Sequence, residues 1–248
     1  MSDKILSIKS LGYSIYASEL EDLPKKHQTL VNTINQYSYC IAERDVEFKT
    51  ALQQSDVLLP DGVAIVKAVK LVSDKNIKKI AGADLHQYCL EKLNKEHGSC
   101  FYLGSSVNTL ENIEKRLKIE YPNIRAGYFS PPYKAVFSEK ENSEMISAVN
   151  NFKPDVLFIG MTAPKQEKWA YTLKNKLNVQ LICSIGAVFD FYAGTVKRPG
   201  KVWVNMGLEW LGRLVKEPKR MWKRYLYYGP IFIYYIFNKK LKNLIKHE

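Results

Sequence analysis

The sequence predicts an α/β fold, a largely parallel sheet flanked by helices in a Rossmann-like arrangement, followed by a helical C-terminal appendage that associates with a membrane surface. Three observations carry this expectation. Up to about Ala193, short β-branched apolar runs alternate with longer segments of helical period, the order that parallel strands and crossover helices produce. Several of those runs close on a glycine or a short polar turn, as in Pro60-Asp61-Gly62, Gly104-Ser105-Ser106, Gly160-Met161-Thr162 and Gly186-Ala187. The charge is uneven too. Of a net +12, +10 falls on the 54 residues Thr195–Glu248, which hold 13 Lys or Arg against 3 Asp or Glu. A neutral body with a basic tail selects an anionic surface as partner, phospholipid or nucleic acid.

Taken in chain order, the strands are expected at Thr29–Thr33, Asp56–Leu59, Ser99–Leu103, Ile124–Tyr128, Val156–Ile159 and Gln180–Ile185, each short, apolar and bounded by turn residues. Helices fill the intervals. Val107, Leu110, Ile113 and Leu117 recur at spacings of three and four, as do Trp169, Leu173 and Leu177, each set marking a stripe that packs on the sheet. Tyr121-Pro122-Asn123 and Pro154-Asp155 are turns ahead of strands. The first 194 residues are read as one core domain and residues 195–248 as the appendage.

In the appendage, helical stretches are expected around Val204–Val215 and Pro218–Tyr228, with proline suited to the first turn of the second. Tyr225–Phe237 is apolar and aromatic but too short to span a bilayer, which takes about 20 residues. Eight basic residues and no acidic one lie between Pro218 and His247. Rings flanked by cations suit the headgroup region of an anionic membrane. The segment Met1–Leu20 lacks the apolar core of a secretory signal, and Cys40, Cys89, Cys100 and Cys183 form no C-x-x-C pair. The expectation is a protein of the cytoplasm, peripheral on the inner face of the plasma membrane, without disulfides, structural metal or cofactor.

Four ordered segments resemble the WecG/TagA/CpsF family, glycosyltransferase family 26. They are Thr33-Ile34-Asn35 followed by Pro60-Asp61-Gly62; Ala81-Gly82-Ala83-Asp84-Leu85; GMTAPKQEKW over Gly160–Trp169; and Gly186–Tyr225, containing FDFYAG, KRPGKVW, GLEWLGRL and EPKRMWKRY. The resemblance implies a metal-independent, inverting transfer of a sugar, N-acetylmannosamine or its uronic acid, from a UDP donor to a GlcNAc-type acceptor on a polyprenyl diphosphate. Teichoic acid and other cell-surface polysaccharides are built this way. No D-x-D pair of acids follows a strand to hold a divalent ion, so cationic side chains are expected to neutralise the leaving diphosphate. Three departures put the donor sugar in doubt: Lys79 where arginine is common, Met161-Thr162-Ala163 before Pro164, and Arg198-Pro199-Gly200 without an intervening alanine.

The resemblance marks Asp61 as catalytic base, since single-step inversion needs a carboxylate beside the acceptor hydroxyl; an aspartate before glycine equally caps a helix starting near Val63. For substrate binding it marks Thr33, Asn35, Gly62, Gly82, Asp84, Gly160, Gln166 and Glu167, and Gly104 joins them as a strand-end glycine turn of the kind that cradles phosphate, or that simply closes a tight turn. Asn35 and Thr33 are also ordinary turn formers, and Glu167 also suits the positive end of a helix. Tyr128 is expected to stack on uracil and Asp190 to accept from uridine, although a strand-end aromatic is commonly core. Arg213, Arg220 and Arg224 fall on the family's C-terminal arginines, whose paired N–H donors suit a diphosphate.

Two other classes compete. A basic, aromatic tail also grips single-stranded RNA or a membrane in proteins without catalysis. The apolar density of this tail favours the interface, and no nucleic-acid partner is expected. A Rossmann dehydrogenase is disfavoured because no G-x-G-x-x-G follows a strand with an acid about 20 residues on.

Overall fold

A computed structural model of the protein describes residues 6–24, 26–196 and 209–245. The KRPGKVW segment therefore lies outside the described residues, as do the side chains of Arg213 and Arg220.

All six expected strands form, and they make one parallel sheet. In chain order they are β3 (Thr29–Ile34), β4 (Val57–Pro60), β5 (Ser99–Gly104), β6 (Arg125–Phe129), β7 (Val156–Gly160) and β8 (Leu181–Ser184), lying side by side as β4-β3-β8-β7-β5-β6. Two strands precede them. β1 (Ser7–Ser10) and β2 (Tyr13–Tyr16) pair antiparallel, turned by Leu11 at φ 58° and Gly12 at φ 88°. This hairpin is not among the strands expected from the sequence. Two successive positive φ values ask for Asn-Gly or Gly-Gly, whereas Leu11 holds its place because its side chain is buried.

The helices are α1 (Gln36–Ala42), α2 (Val46–Gln53), α3 (Val63–Ser73), α4 (Gly82–Glu96), α5 (Val107–Glu120), α6 (Glu139–Phe152), α7 (Lys165–Leu173), α8 (Val188–Tyr192), α9 (Glu209–Lys216), α10 (Pro218–Trp222) and α11 (Tyr228–Ile245), with a π-helical turn Lys223–Tyr227 before the last. The stripe Val107–Leu117 lies on α5 as expected. Helix α7 stops at Leu173, and Leu177, expected on the same stripe, is buried from the loop after a 3₁₀ turn.

Side chains alternate across a strand, so a sheet buried on both faces feeds two cores. Val57, Leu59, Cys100, Tyr102, Val156, Phe158 and Cys183 point to one face, under α4, α5 and α8. Leu30, Phe101, Leu103, Leu157, Ile159 and Ile182 point to the other, under α6 and α7. A third cluster joins Leu58 to the hairpin, α1, α2, α3 and α11.

That third cluster changes the picture of the appendage. Tyr228, Phe232 and Ile236 recur every four residues and are buried against Tyr39 and its neighbours, with the rings of Phe232 and Tyr39 5.4 Å apart, edge to face. The next turn brings Lys239, whose Nζ donates to the Leu11 carbonyl in the hairpin loop at 2.6 Å. One face of the aromatic run thus packs on the body. The opposite face exposes Ile233, Tyr234, Phe237, Leu241 and Ile245.

Candidate active site

The parallel sheet brings the carboxyl ends of β3, β4, β7 and β8 to one edge, and a cleft of about 1480 Å³ opens above them. Ligands collect at this edge of open α/β sheets because strand-end loops and helix N-termini converge there. Of the expected site residues, Thr33, Asn35, Asp61, Gly62, Gly82, Gly160, Gln166, Glu167, Asp190 and Arg224 line the cleft.

Thr33, Asn35 and Asp61 come together because β3 and β4 are neighbours, with Thr33 opposite Leu59 and Ile34 opposite Pro60. The Asp61 N–H donates to the Ile34 carbonyl at 2.9 Å, which ties the two strand ends. The cap position of α3 falls on Gly62, at φ 119°, and no side chain caps that helix. The capping role open to Asp61 in the sequence is therefore not realised. Asn35 does cap: its Oδ1 accepts from the N–H groups of Tyr37 and Ser38, both at 3.0 Å.

Asp45, Ser106 and Ser138 cap α2, α5 and α6 with side-chain oxygens. The N-termini of α3 and α7, at Gly62 and Pro164 on the cleft wall, have no side-chain cap. Uncapped N–H groups and the positive end of the helix dipole are suited to an anionic ligand.

Gln166 and Glu167 open α7 and are 4% and 2% exposed. Gln166 Oε1 accepts from the Met161 N–H at 3.3 Å, and Gln166 Nε2 donates to Glu167 Oε1 at 2.9 Å. Burial pushes the Glu167 carboxyl up from 4.5 to about 7, against the pull of the Gln166 bond. This is not the exposed dipole partner that a glutamate in a first helical turn ordinarily is.

Arg224 reaches the cleft from the C-terminal segment, its guanidinium 4.7 Å from the centroid of the Tyr37 ring. Trp210 and Tyr225, whose rings lie 5.8 Å apart, line the same side. Among residues the sequence analysis passed over, Tyr37 and Lys165 line the cleft. Lys165 Nζ donates to the Lys134 carbonyl at 2.8 Å and sits 4.5 Å from the Phe137 ring. Its signal was its place beside Gln166 in the PKQE string.

Three expected residues are not on the cleft lining. Asp84 Oδ2 accepts from the Ala81 N–H at 2.8 Å within its own helix start. Tyr128 is half-buried and stacks on Tyr102, with 5.8 Å between ring centroids. Gly104, at φ 122°, lies against Gly160, where a Cβ would come within 2.6 Å of the Gly160 carbonyl oxygen. Gly160 in turn accommodates the Phe189 ring, 2.3 Å from where a Cβ would stand. Both glycines allow close approach of backbone and ring under the cleft floor.

Among the described residues, no group of three or more His, Cys, Asp or Glu side chains is placed to hold a metal ion. His86 is a core residue, bonded through Nε2 to the Tyr102 hydroxyl at 2.7 Å and pushed down to about 3 by burial. All four cysteines are buried and free.

Comparison with known proteins adds a family and named relatives. The family model described as Glycosyl transferase WecG/TagA/CpsF family matches residues 5–246. A relative from Bacillus subtilis (strain 168) is 26% identical over 204 residues, covering 82% of this chain and 77% of its own length. One from Staphylococcus aureus (strain MW2) is 28% identical over 224 residues, 90% of this chain and 78% of its own. Both carry the name N-acetylglucosaminyldiphosphoundecaprenol N-acetyl-beta-D-mannosaminyltransferase.

Proposed function

The chain belongs to the WecG/TagA/CpsF family of glycosyl transferases, and from that membership we propose that it moves N-acetylmannosamine from a UDP donor to a GlcNAc carried on a polyprenyl diphosphate. The observation that carries this reading is the convergence of Thr33, Asn35, Asp61, Gln166, Asp190 and Arg224, far apart in sequence, on one cleft. The names of the relatives support the same transferred sugar and the same kind of acceptor.

In this reading Asp61 is the base. Its carboxylate takes the proton of the acceptor hydroxyl as that oxygen attacks the anomeric carbon, and the UDP leaves from the opposite face with the bonding electrons. Thr33 and Asn35, on the neighbouring strand end, position the sugars. Gln166 bonds the donor sugar, with Glu167 beside it. Gly62, Gly82 and Gly160 let backbone approach the ligand, and Asp190 accepts from the uridine. The uncapped N-termini of α3 and α7 and the arginines Arg213, Arg220 and Arg224 stabilise the diphosphate as it departs, each charge-assisted bond contributing about 1.5–3 kcal/mol. Asp84, Gly104 and Tyr128 support this wall from behind.

The acceptor in this reading is lipid-linked, and we place the enzyme at the inner face of the plasma membrane. No helix among the described residues is long and apolar enough to cross a bilayer. The exposed face of α11, with Lys240 and Lys242 beside its apolar residues, is proposed to rest on the headgroups. Residues 1–194 form the transferase body and 195–248 its membrane-facing appendage. Incubation with a panel of UDP-sugars and a short-chain polyprenyl-diphosphate-GlcNAc, with products weighed by mass spectrometry, tests the reading. The expected product carries one added N-acetylhexosamine from the mannosamine donor; no product with any donor would reject transfer.

A further inference from the structure

We propose that Glu167 is a positioning residue, fixing the side-chain amide of Gln166 so that an N–H, and not the carbonyl, is what the cleft offers to the donor sugar. The proposal rests on the transferase reading above. A glutamine amide has an acceptor end and a donor end of nearly equal shape, and only its partners decide which way it faces. Here the partners are distinct. The Met161 N–H meets Oε1 at 3.3 Å, and Glu167 Oε1 meets Nε2 at 2.9 Å. Turning the amide over would set donor against donor at Met161 and, once the Glu167 carboxyl ionises, oxygen against oxygen there. Gly186 backs the group: a Cβ there would stand 3.4 Å from Nε2 and 3.5 Å from Oε1.

Nε2 carries two hydrogens, so one remains after Glu167 is satisfied. The carboxyl is buried, 2% exposed, and its Oε2 has no hydrogen-bond partner. A buried polar atom left without a partner costs about 1–3 kcal/mol. Retaining such a group in the wall of a cleft is consistent with a role exerted through its other oxygen.

The test is a double-mutant cycle in the full-length chain, with UDP-N-acetylmannosamine and a polyprenyl-diphosphate-GlcNAc as substrates and UDP binding measured separately. Glu167→Ala is expected to raise the donor KM about tenfold, with UDP affinity unchanged, because the amide addresses the sugar. Glu167→Gln, whose amide oxygen still accepts from Gln166, is expected to restore the donor KM to within about threefold of the parent. In the Gln166→Ala background, Glu167→Ala should add nothing further. Equal, additive effects in both backgrounds, or a donor KM untouched by Glu167→Ala, would overturn the positioning role alone. Absence of transfer by the parent protein would overturn the transferase reading and this proposal with it.

Discussion

Asp61 and Glu167 are both carboxylates of one cleft, and their surroundings separate their roles. Asp61 lies at a strand end beside an uncapped helix, and its replacement by Asn removes the proposed base. Asp61→Asn is expected to lose about 10²–10⁴ in turnover while UDP still binds, as a transfer assay beside calorimetry would read. Turnover at the parent rate would remove Asp61 from the chemistry. Glu167 has a folded value of about 7 against an ordinary 4.5. A raised carboxylate value means that the folded state holds its proton more tightly. Its contribution to stability is therefore whole below about pH 4.5 and is lost as pH rises through about 7, roughly 3 kcal/mol in all. Glu167→Gln should melt above the parent at about pH 8.5, with the difference vanishing near pH 4.5; a constant difference would contradict the buried-acid argument. Gly160→Ala forces a methyl to within 2.3 Å of the Phe189 ring. It should cost about 1–3 kcal/mol in a denaturant titration.

At the scale of the element, helix α11 has two faces with separable tasks. Tyr228, Phe232 and Ile236 hold it to the body, and a Phe→Ala change in such a setting costs about 3–5 kcal/mol. Phe232→Ala is expected to lower stability, and activity with it, since α11 follows directly on the π-helical turn that carries Arg224. Replacing Ile233, Tyr234 and Phe237 with Ser on the exposed face should leave the melting temperature within a degree or two, these side chains being 57%, 64% and 58% exposed. Sedimentation with anionic vesicles should then fall well below the parent, and parent binding should weaken with salt. Undiminished vesicle binding by that variant would separate the membrane from this face. The four-residue period of the buried stripe was present in the sequence. It was obscured because an aromatic, lysine-flanked run reads equally as lipid-facing and as protein-facing, and only the mate decides. The mate is α1, with α3 and the hairpin beside it, and the hairpin's Leu11-Gly12 turn carries no recognisable turn signature.

For the whole molecule, the order β4-β3-β8-β7-β5-β6 explains why one edge of the sheet carries the site. Strands β3 and β8 pair Thr29 with Leu181, 152 residues apart in sequence, so the loops after them share one cleft. Deleting Pro218–Glu248 would uncover the surface that Tyr228, Phe232 and Ile236 cover and remove Arg224. That variant should lose both transfer and several degrees of thermal stability. A truncated chain as stable and active as the parent would make the appendage dispensable to both.

The sequence by itself determined the six strands, the alternation with helices, the charge asymmetry, the strand-end positions of Thr33, Asn35 and Asp61 and the helix-start position of Gln166, because strand and helix periods and turn residues are local properties. Tertiary structure decided what no local pattern encodes. It paired β3 with β8, set Tyr128 against Tyr102 and away from the cleft lining, turned Asp84 back on its own helix, and sank Glu167 until burial raised its carboxyl. A side chain's neighbours and its access to water arise only when distant segments pack, and those two quantities set which of several chemistries a residue performs.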